Sequence, residues 1–396
     1  MKKPLLEVAD IFRQFSNQYI EKYKPPLEHL KVISAITKCR TSELGGHIES
    51  CSEGCGYQQI SYNSCRNRHC PKCQFTKAAQ WIQNRQDELL PIIYFHVVFT
   101  LPTASILPII LPNKKTFYTL MFKCVSQTLL ELGADPNWLG AKIGATCVLH
   151  TWTQKMIFHP HIHCIVPGGG ISFSQDQWIS PKNPEFFVPF KVMAKLFQKK
   201  LLAGLKELHK KNKLSFFDHD YHLYDPREFD RFCQPLYAKE WIAYAKPSFN
   251  GPKSVIQYLG QYVHKIALSN WRLIKLEEDI VSFIYRDRKN GNIKKSISLH
   301  ALEFMKRFLQ HVLPYQFSKI RSYGFLANRC KKGSLIIVKN LLGISVENTN
   351  PAHPKEQLLM DSIQNEYSQN HCPNCRKGIL IKHPLPAPLS LKPRPP

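Results

Sequence analysis

The stretch HPHIHCIVPGGG, residues 159 to 170, places three histidines within five residues, just ahead of an apolar run. Alternate residues of a strand share a face, so His159, His161 and His163 would line one side and Ile162 the other. Imidazoles so spaced are a metal-ligand arrangement; the alternative is a histidine-rich strand end in solvent. A second constellation has six cysteines and two histidines within 35 residues: Cys39, His47, Cys51, Cys55, Cys65, His69, Cys70 and Cys73. Eight such donors are the number that two tetrahedral zinc sites require. Cys51 and Cys55 are spaced to join Cys70 and Cys73 in one site, which leaves Cys39, His47, Cys65 and His69 for a cross-braced second. One or two Zn2+ ions are expected, in a structural role, because protein ligands fill every position and the segment has too few apolar residues to fold alone. The later pair Cys372 and Cys375 is incomplete by itself; Cys330 and His371 could join it, or it is a local turn with free thiols. Finally, YLGQY supplies Tyr258 and Tyr262, which on a helix would stand one turn apart on one face. A tyrosine with the ordinary pKa of about 10 is a poor nucleophile, but its attack on a phosphodiester becomes feasible when a cation polarises the phosphate. The same spacing also suits two tyrosines packed into a core.

The charge balance narrows the partner. Fifty-four Lys and Arg against 29 Asp and Glu give a net charge of +25, spread along the whole chain. A folded protein this basic most often binds a polyanion, nucleic acid first. An anionic membrane surface comes second, without an amphipathic helix of one basic face to support it. Within the cysteine-rich segment Arg40, Arg66, Arg68 and Lys72 suit a DNA backbone. No apolar run reaches the roughly 18 residues that span a bilayer. The longest, LLPIIYFHVVFTLP, is broken by Pro91, His96 and Pro102, and Asp10 and Arg13 interrupt the N-terminal segment, which does not read as a signal peptide. A cytoplasmic location follows, in which 13 cysteines argue for thiols or metal and not disulfides.

These groups need elements to position them. Leu5, Val8, Ile11, Phe12 and Phe15 form an apolar stripe of a first helix, and LEHLKVISAITKC after Pro26 reads as a second. A helix across QFTKAAQWIQNRQDELL leads from the cysteines to a buried strand in YFHVVFTLP. Helical spacing returns at residues 115–132, and GATCVLHTWTQK with HPHIHCIVPGGG reads as an antiparallel pair. Residues 190–214 form a basic amphipathic helix with solvated lysines, and 252–268, which carries the tyrosines, another. A hairpin around Asn290-Gly291 and a helix in LHALEFMKRFLQHVL follow. Beyond about residue 346 the chain turns polar and ends in a Pro-rich stretch expected to be disordered.

From about residue 30 to 340 the chain resembles the rolling-circle transposases of bacterial insertion sequences that carry two catalytic tyrosines, members of the HUH endonuclease superfamily. The resemblance rests on CRTSELGGH, YNSCRNRHCPKCQ, HVVFTLP, VLHTW followed by HPHIHCIVPGGG, KEWIAYAKP, YLGQYVHKIALSN and IRSYGFLANR, in the family order. It implies that His161 and His163 are the metal-binding pair and that Tyr258 and Tyr262 are the nucleophiles. A third ligand is expected from His159, Gln261 or His264, and the catalytic metal is Mg2+ or Mn2+, although imidazoles by themselves favour later transition metals. Two departures stand out: Gln261 occupies a position where a basic residue is expected, and Cys51 to Cys55 is one residue longer than CxxC.

The resemblance also implies an α+β fold, an antiparallel sheet with helices packed on one face and the HUH strand near its centre, preceded by a small loop-rich zinc domain. The expected division is 1–88 for the helical and zinc-binding part, 89–345 for the catalytic domain and 346–396 for the tail. The implied function is nicking and joining of single-stranded DNA at the ends of an insertion sequence through a 5′-phosphotyrosine. Its partners would be transposon-end and target DNA, in the nucleoid of a bacterium. With no GxxxxGK[ST] loop in the chain, strand displacement would fall to a host helicase and polymerase. The competing readings are a non-catalytic zinc-dependent DNA-binding protein with a decayed nuclease domain, and a replication-initiation or mobilisation nuclease of the same superfamily.

Overall fold

The computed structural model describes residues 5–74, 88–183, 188–247, 266–287, 290–344 and 371–385. Helices α1 (Val8–Tyr23) and α2 (Leu27–Lys38) lead into strands β1 (Gly46–Cys51) and β2 (Gln58–Tyr62). Strand β3 (Tyr94–Thr100), helices α3 (Thr103–Ile110) and α4 (Lys114–Ala134), and strands β4 (Gly144–Trp152) and β5 (Phe158–Pro167) come next. A two-stranded ribbon, β6 (Gly170–Ile171) and β7 (Trp178–Ile179), precedes helices α5 (Phe190–Lys210) and α6 (Pro226–Ala238) and strand β8 (Ile242–Pro247). The chain then forms β9 (Leu273–Glu277), β10 (Ile280–Asp287), β11 (Ile293–His300), α7 (Ala301–Leu309), β12 (Ile320–Gly324), α8 (Lys331–Leu341) and β13 (Leu380–Pro384). The fold is α+β with antiparallel sheets, as expected. The expected helix from Gln74 falls almost wholly in 75–87, outside the described residues. Of the tyrosine helix expected at 252–268, residues 252–265 lie outside them and 266–268 are not helical. Of the Pro-rich end, expected to be disordered, His383 and Pro384 close β13, while 386–396 lie outside the described residues.

The central sheet runs β12-β4-β5-β3-β8 with every neighbour antiparallel, so the histidine strand β5 is its middle strand. Strand alternation sorts its two faces. Phe95, Val97 and Phe99 of β3, Cys147 and Leu149 of β4, and Ile162, Cys164 and Val166 of β5 point into one large core with α4 and α5. Each fully buried aromatic there stabilises the fold by roughly 1.5–3 kcal/mol through water exclusion. Val148 and Ile165 face the opposite side with Tyr94, under a small cluster completed by Leu89, Ile92 and Ile320. Two glycines fix the sheet's ends. Gly169, at φ 145°, lies where a Cβ would meet the Trp178 ring at 2.6 Å, and Gly324, at φ 61°, where it would strike the Ile143 carbonyl oxygen.

A second core joins the chain's beginning to its later part. The apolar stripe of α1, Val8, Ile11, Phe12, Phe15 and Tyr19, packs with α2, with Phe283 of β10, and with Phe304 and Phe308 of α7. Phe12 meets Phe308 edge to face at 5.4 Å. Leu5, expected in the stripe, is fully exposed one turn before the helix begins. Cys39, Cys70 and Cys73 belong to this same core. Helix α6 starts where Asp225 accepts hydrogen bonds from the Arg227 and Glu228 amides with Pro226 behind it. The tail returns to the start of the chain: β13 pairs antiparallel with β1, forming the sheet β13-β1-β2.

Candidate active site and metal centres

Strand β5 presents His161 and His163 on the face of the sheet away from the helices, and β4 adds a third imidazole beside them. In the antiparallel register His150 pairs with His161 and Val148 with His163. Ring nitrogens of His150, His161 and His163 all lie within 4.8 Å of one another, with His150 and His163 buried and His161 half-buried. Three neutral imidazoles converging at this distance fit one divalent transition-metal ion. The partners select the nitrogen each would offer. His161 Nδ1 donates to the His159 carbonyl at 2.7 Å, and His163 Nδ1 hydrogen bonds with His96 Nε2 of β3 at 2.8 Å. Both histidines would therefore ligate through Nε2. Trp152 stacks on His150 at 4.8 Å, just past a register shift of β4.

Among the expected third ligands, His159 is not part of this group: its Nδ1 meets the Thr103 hydroxyl at 3.0 Å, and burial lowers its pKa. Gln261, His264 and the two tyrosines, Tyr258 and Tyr262, lie outside the described residues. His150 was missed by sequence reasoning. The signal was present in VLHTW, since a histidine on the strand paired with β5 can reach the same face.

The cysteines form two four-sulfur groups, paired differently from the expectation. The first is Cys39, Cys65, Cys70 and Cys73, and the second is Cys51, Cys55, Cys372 and Cys375. In the first, Cys39 and Cys73 sulfurs are 3.6 Å apart and Cys65 and Cys73 sulfurs 3.7 Å. A zinc ion with Zn–S bonds of about 2.3 Å in a tetrahedron separates its sulfurs by about 3.8 Å, so the cage has the right size. His47 and His69 stand outside both groups. His47 Nε2 pairs with Glu49 at 3.1 Å, and His69 Nε2 accepts from the Leu313 amide at 3.4 Å, with burial pushing its pKa down to about 3. Cys330 is exposed at the start of α8, its sulfur directed at the carbonyls of Gly324 and Ala327.

The four basic residues of this segment divide as well. Arg40 and Arg66 are exposed, both with left-handed backbones, φ 58° and 52°. Arg68 is spent inside the molecule, donating from Nη2 to the Phe317 carbonyl at 2.6 Å. Lys72 pairs with Glu7 at 2.5 Å, both side chains largely covered.

Known proteins resemble the chain over nearly its whole length. A putative transposase of Sinorhizobium fredii is 43% identical over 382 residues, covering 95% of this chain and 94% of the relative. The chain belongs to the IS91-type transposases of insertion sequences. The transposase for insertion sequence element IS801 of Pseudomonas savastanoi pv. phaseolicola is 26% identical over 303 residues, 76% of this chain and 70% of that protein. The family model described as a putative transposase matches residues 144–333, and the transposase zinc-binding domain matches residues 11–101. The first span begins with β4 and takes in His150, His161 and His163, and the second takes in Cys39 through Cys73. No solved structure matches the transposase significantly. Among its described residues no helix is long and apolar enough to cross a membrane.

Proposed function

We propose that this transposase nicks and rejoins single-stranded DNA at the ends of its insertion sequence by metal-assisted tyrosine transesterification of the HUH type. The observation that carries the reading is the convergence of His150, His161 and His163 on the middle strand of the sheet and its neighbour. Tyr258 and Tyr262 are the nucleophiles of the proposal, carried by the resemblance of YLGQY to the family motif. One further observation supports it. Ile266, four residues beyond Tyr262, lines a small cavity with Trp152, whose ring stacks on His150.

In the proposed reaction a tyrosine oxygen attacks the phosphorus and loses its proton. The bond to the 3′ oxygen breaks, that oxygen takes up a proton, and the 5′ end stays esterified to the tyrosine. Mg2+ or Mn2+ at the three imidazoles would supply charge stabilisation on the non-bridging oxygens. His96 and the His159 carbonyl hold the two β5 imidazoles in the tautomer that presents Nε2. Because the phosphoester bond is conserved, attack of a 3′ hydroxyl on the phosphotyrosine joins strands without a nucleotide cofactor. The second tyrosine takes the target strand or ends the transfer, and a host helicase and polymerase supply displacement and synthesis. A structural Zn2+ at Cys39, Cys65, Cys70 and Cys73 would hold the N-terminal domain, with Arg40 and Arg66 turned toward terminal DNA.

The test is nicking of labelled single-stranded oligonucleotides bearing the element's ends. Cleavage is expected with Mn2+ at least as fast as with Mg2+, and none with EDTA or in His161→Ala. Tight DNA binding with no cleavage under any divalent ion would favour a DNA-binding protein without nuclease activity.

A further inference from the structure

The second cysteine group lies beyond the reach of the zinc-binding match, which ends at residue 101. We infer that Cys51 and Cys55 of the N-terminal hairpin and Cys372 and Cys375 of the tail hold a second structural zinc ion, a clasp that joins the two ends of the chain. Cys51 and Cys375 sulfurs are 3.5 Å apart and Cys55 and Cys372 sulfurs 3.4 Å, and all four lie within 4.8 Å. These separations are slightly under the roughly 3.8 Å edge of a zinc tetrathiolate and far beyond the roughly 2.05 Å of a disulfide.

The backbone around the sulfurs has the form of a metal knuckle. The Gly378 amide donates to Cys375 Sγ at 3.4 Å, and the Cys372 amide donates back to the Gly378 carbonyl at 2.7 Å. A Cβ on Gly378 would sit 2.4 Å from Cys51 Sγ, so only glycine lets the tail close on the hairpin there. Two hydrogen bonds stitch the halves: Ser52 amide to the Ile379 carbonyl, and Ile379 amide to Ser52 Oγ, each 2.9 Å.

Energetics call for the ion. The sheet β13-β1-β2 has no buried residue in any of its strands, and Ile60, Ile379 and Ile381 on and beside it are about half exposed. A three-stranded sheet without a core is marginal in water, so metal binding must supply the folding free energy. Cys55 and Cys372 are 317 positions apart, and a cross-link closing so long a loop restricts the unfolded chain strongly. Thiolates select a soft ion, and zinc fits both ligand set and distances.

Metal analysis of the full-length protein, purified under reducing conditions, should find two zinc ions per chain and one in the Cys372→Ser, Cys375→Ser double variant. One zinc in the wild type, or two in the variant, would overturn the clasp. A second measurement does not depend on the variant's metal count. A protease site inserted between residues 350 and 365 is cut in the otherwise wild-type protein, and the pieces are separated by size. The tail fragment should stay bound to the rest until a chelator is added, and should leave without chelator when its two cysteines are serines. A wild-type fragment that leaves at once contradicts the inference.

Discussion

His150 stands directly opposite His161 in the antiparallel pair of β4 and β5, their ring centroids 5.5 Å apart and the rings edge to face. This pairing makes His150 the third ligand of the proposed metal site, although it lies outside the HxH motif. His150→Ala should weaken Mn2+ binding by more than about a hundredfold, above the ten- to hundredfold typical of a group that only orients a ligand. Calorimetric titration of Mn2+ into wild type and variant checks this. Unchanged affinity would remove His150 from the site.

His96 hydrogen bonds to His163 and stacks on it with the ring planes 9° apart, so in the proposed metal site it would orient a ligand without being one. His96→Ala should lower metal affinity about ten- to hundredfold. His96→Gln, which keeps an acceptor within reach, should recover part of that loss. Equal losses in both variants would point to packing as the sole role of His96.

The basic residues of the zinc domain should separate by function. Arg40→Ala and Arg66→Ala should each weaken DNA binding evenly across sequences and reduce the slope of log affinity against log salt by about one. Arg68→Ala should instead strand the Phe317 carbonyl and cost about 1–3 kcal/mol of stability. Thermal unfolding and salt-dependent binding curves distinguish the two classes.

His311 sets a pH dependence. Burial pushes its pKa down to about 3, while its Nε2 donates to the Met156 carbonyl at 3.1 Å and its Nδ1 accepts from the Thr151 hydroxyl at 3.2 Å. Below the ordinary value of about 6.5 the unfolded chain takes up a proton that the native site refuses, so stability falls as pH falls, by about 1.4 kcal/mol per unit. His311→Gln removes that slope. The stability gap between wild type and variant should therefore narrow by about 2 kcal/mol from pH 7 to 5 in denaturant titrations. A constant gap would mean that His311 titrates alike in both states.

What the sequence made legible followed periodicity, and what it hid followed topology. Alternation placed His161 and His163 on one face of β5 and Ile162 in the core, because a strand's two-residue period leaves no other arrangement. The partner strand's contribution, His150, needed the register as well, which a bulge between His150 and Trp152 makes hard to read from spacing. Zinc pairing failed for a related reason. Eight donors within 35 residues looked self-sufficient, yet Glu49 and the Leu313 amide engage His47 and His69, and the missing thiolates come from the far end of the chain. The unmatched pair CPNC was the available sign that a distant partner was needed.

The most direct test of tyrosine transesterification is capture of the covalent intermediate. The transposase is incubated with Mn2+ and a labelled single-stranded oligonucleotide bearing an end of its element, then resolved on a denaturing gel beside Tyr258→Phe, Tyr262→Phe and the double variant. The account predicts a protein-linked band that persists in at least one single variant and disappears in the double variant. An adduct that survives loss of both tyrosines, or cleavage by the wild type that never passes through an adduct, would contradict it.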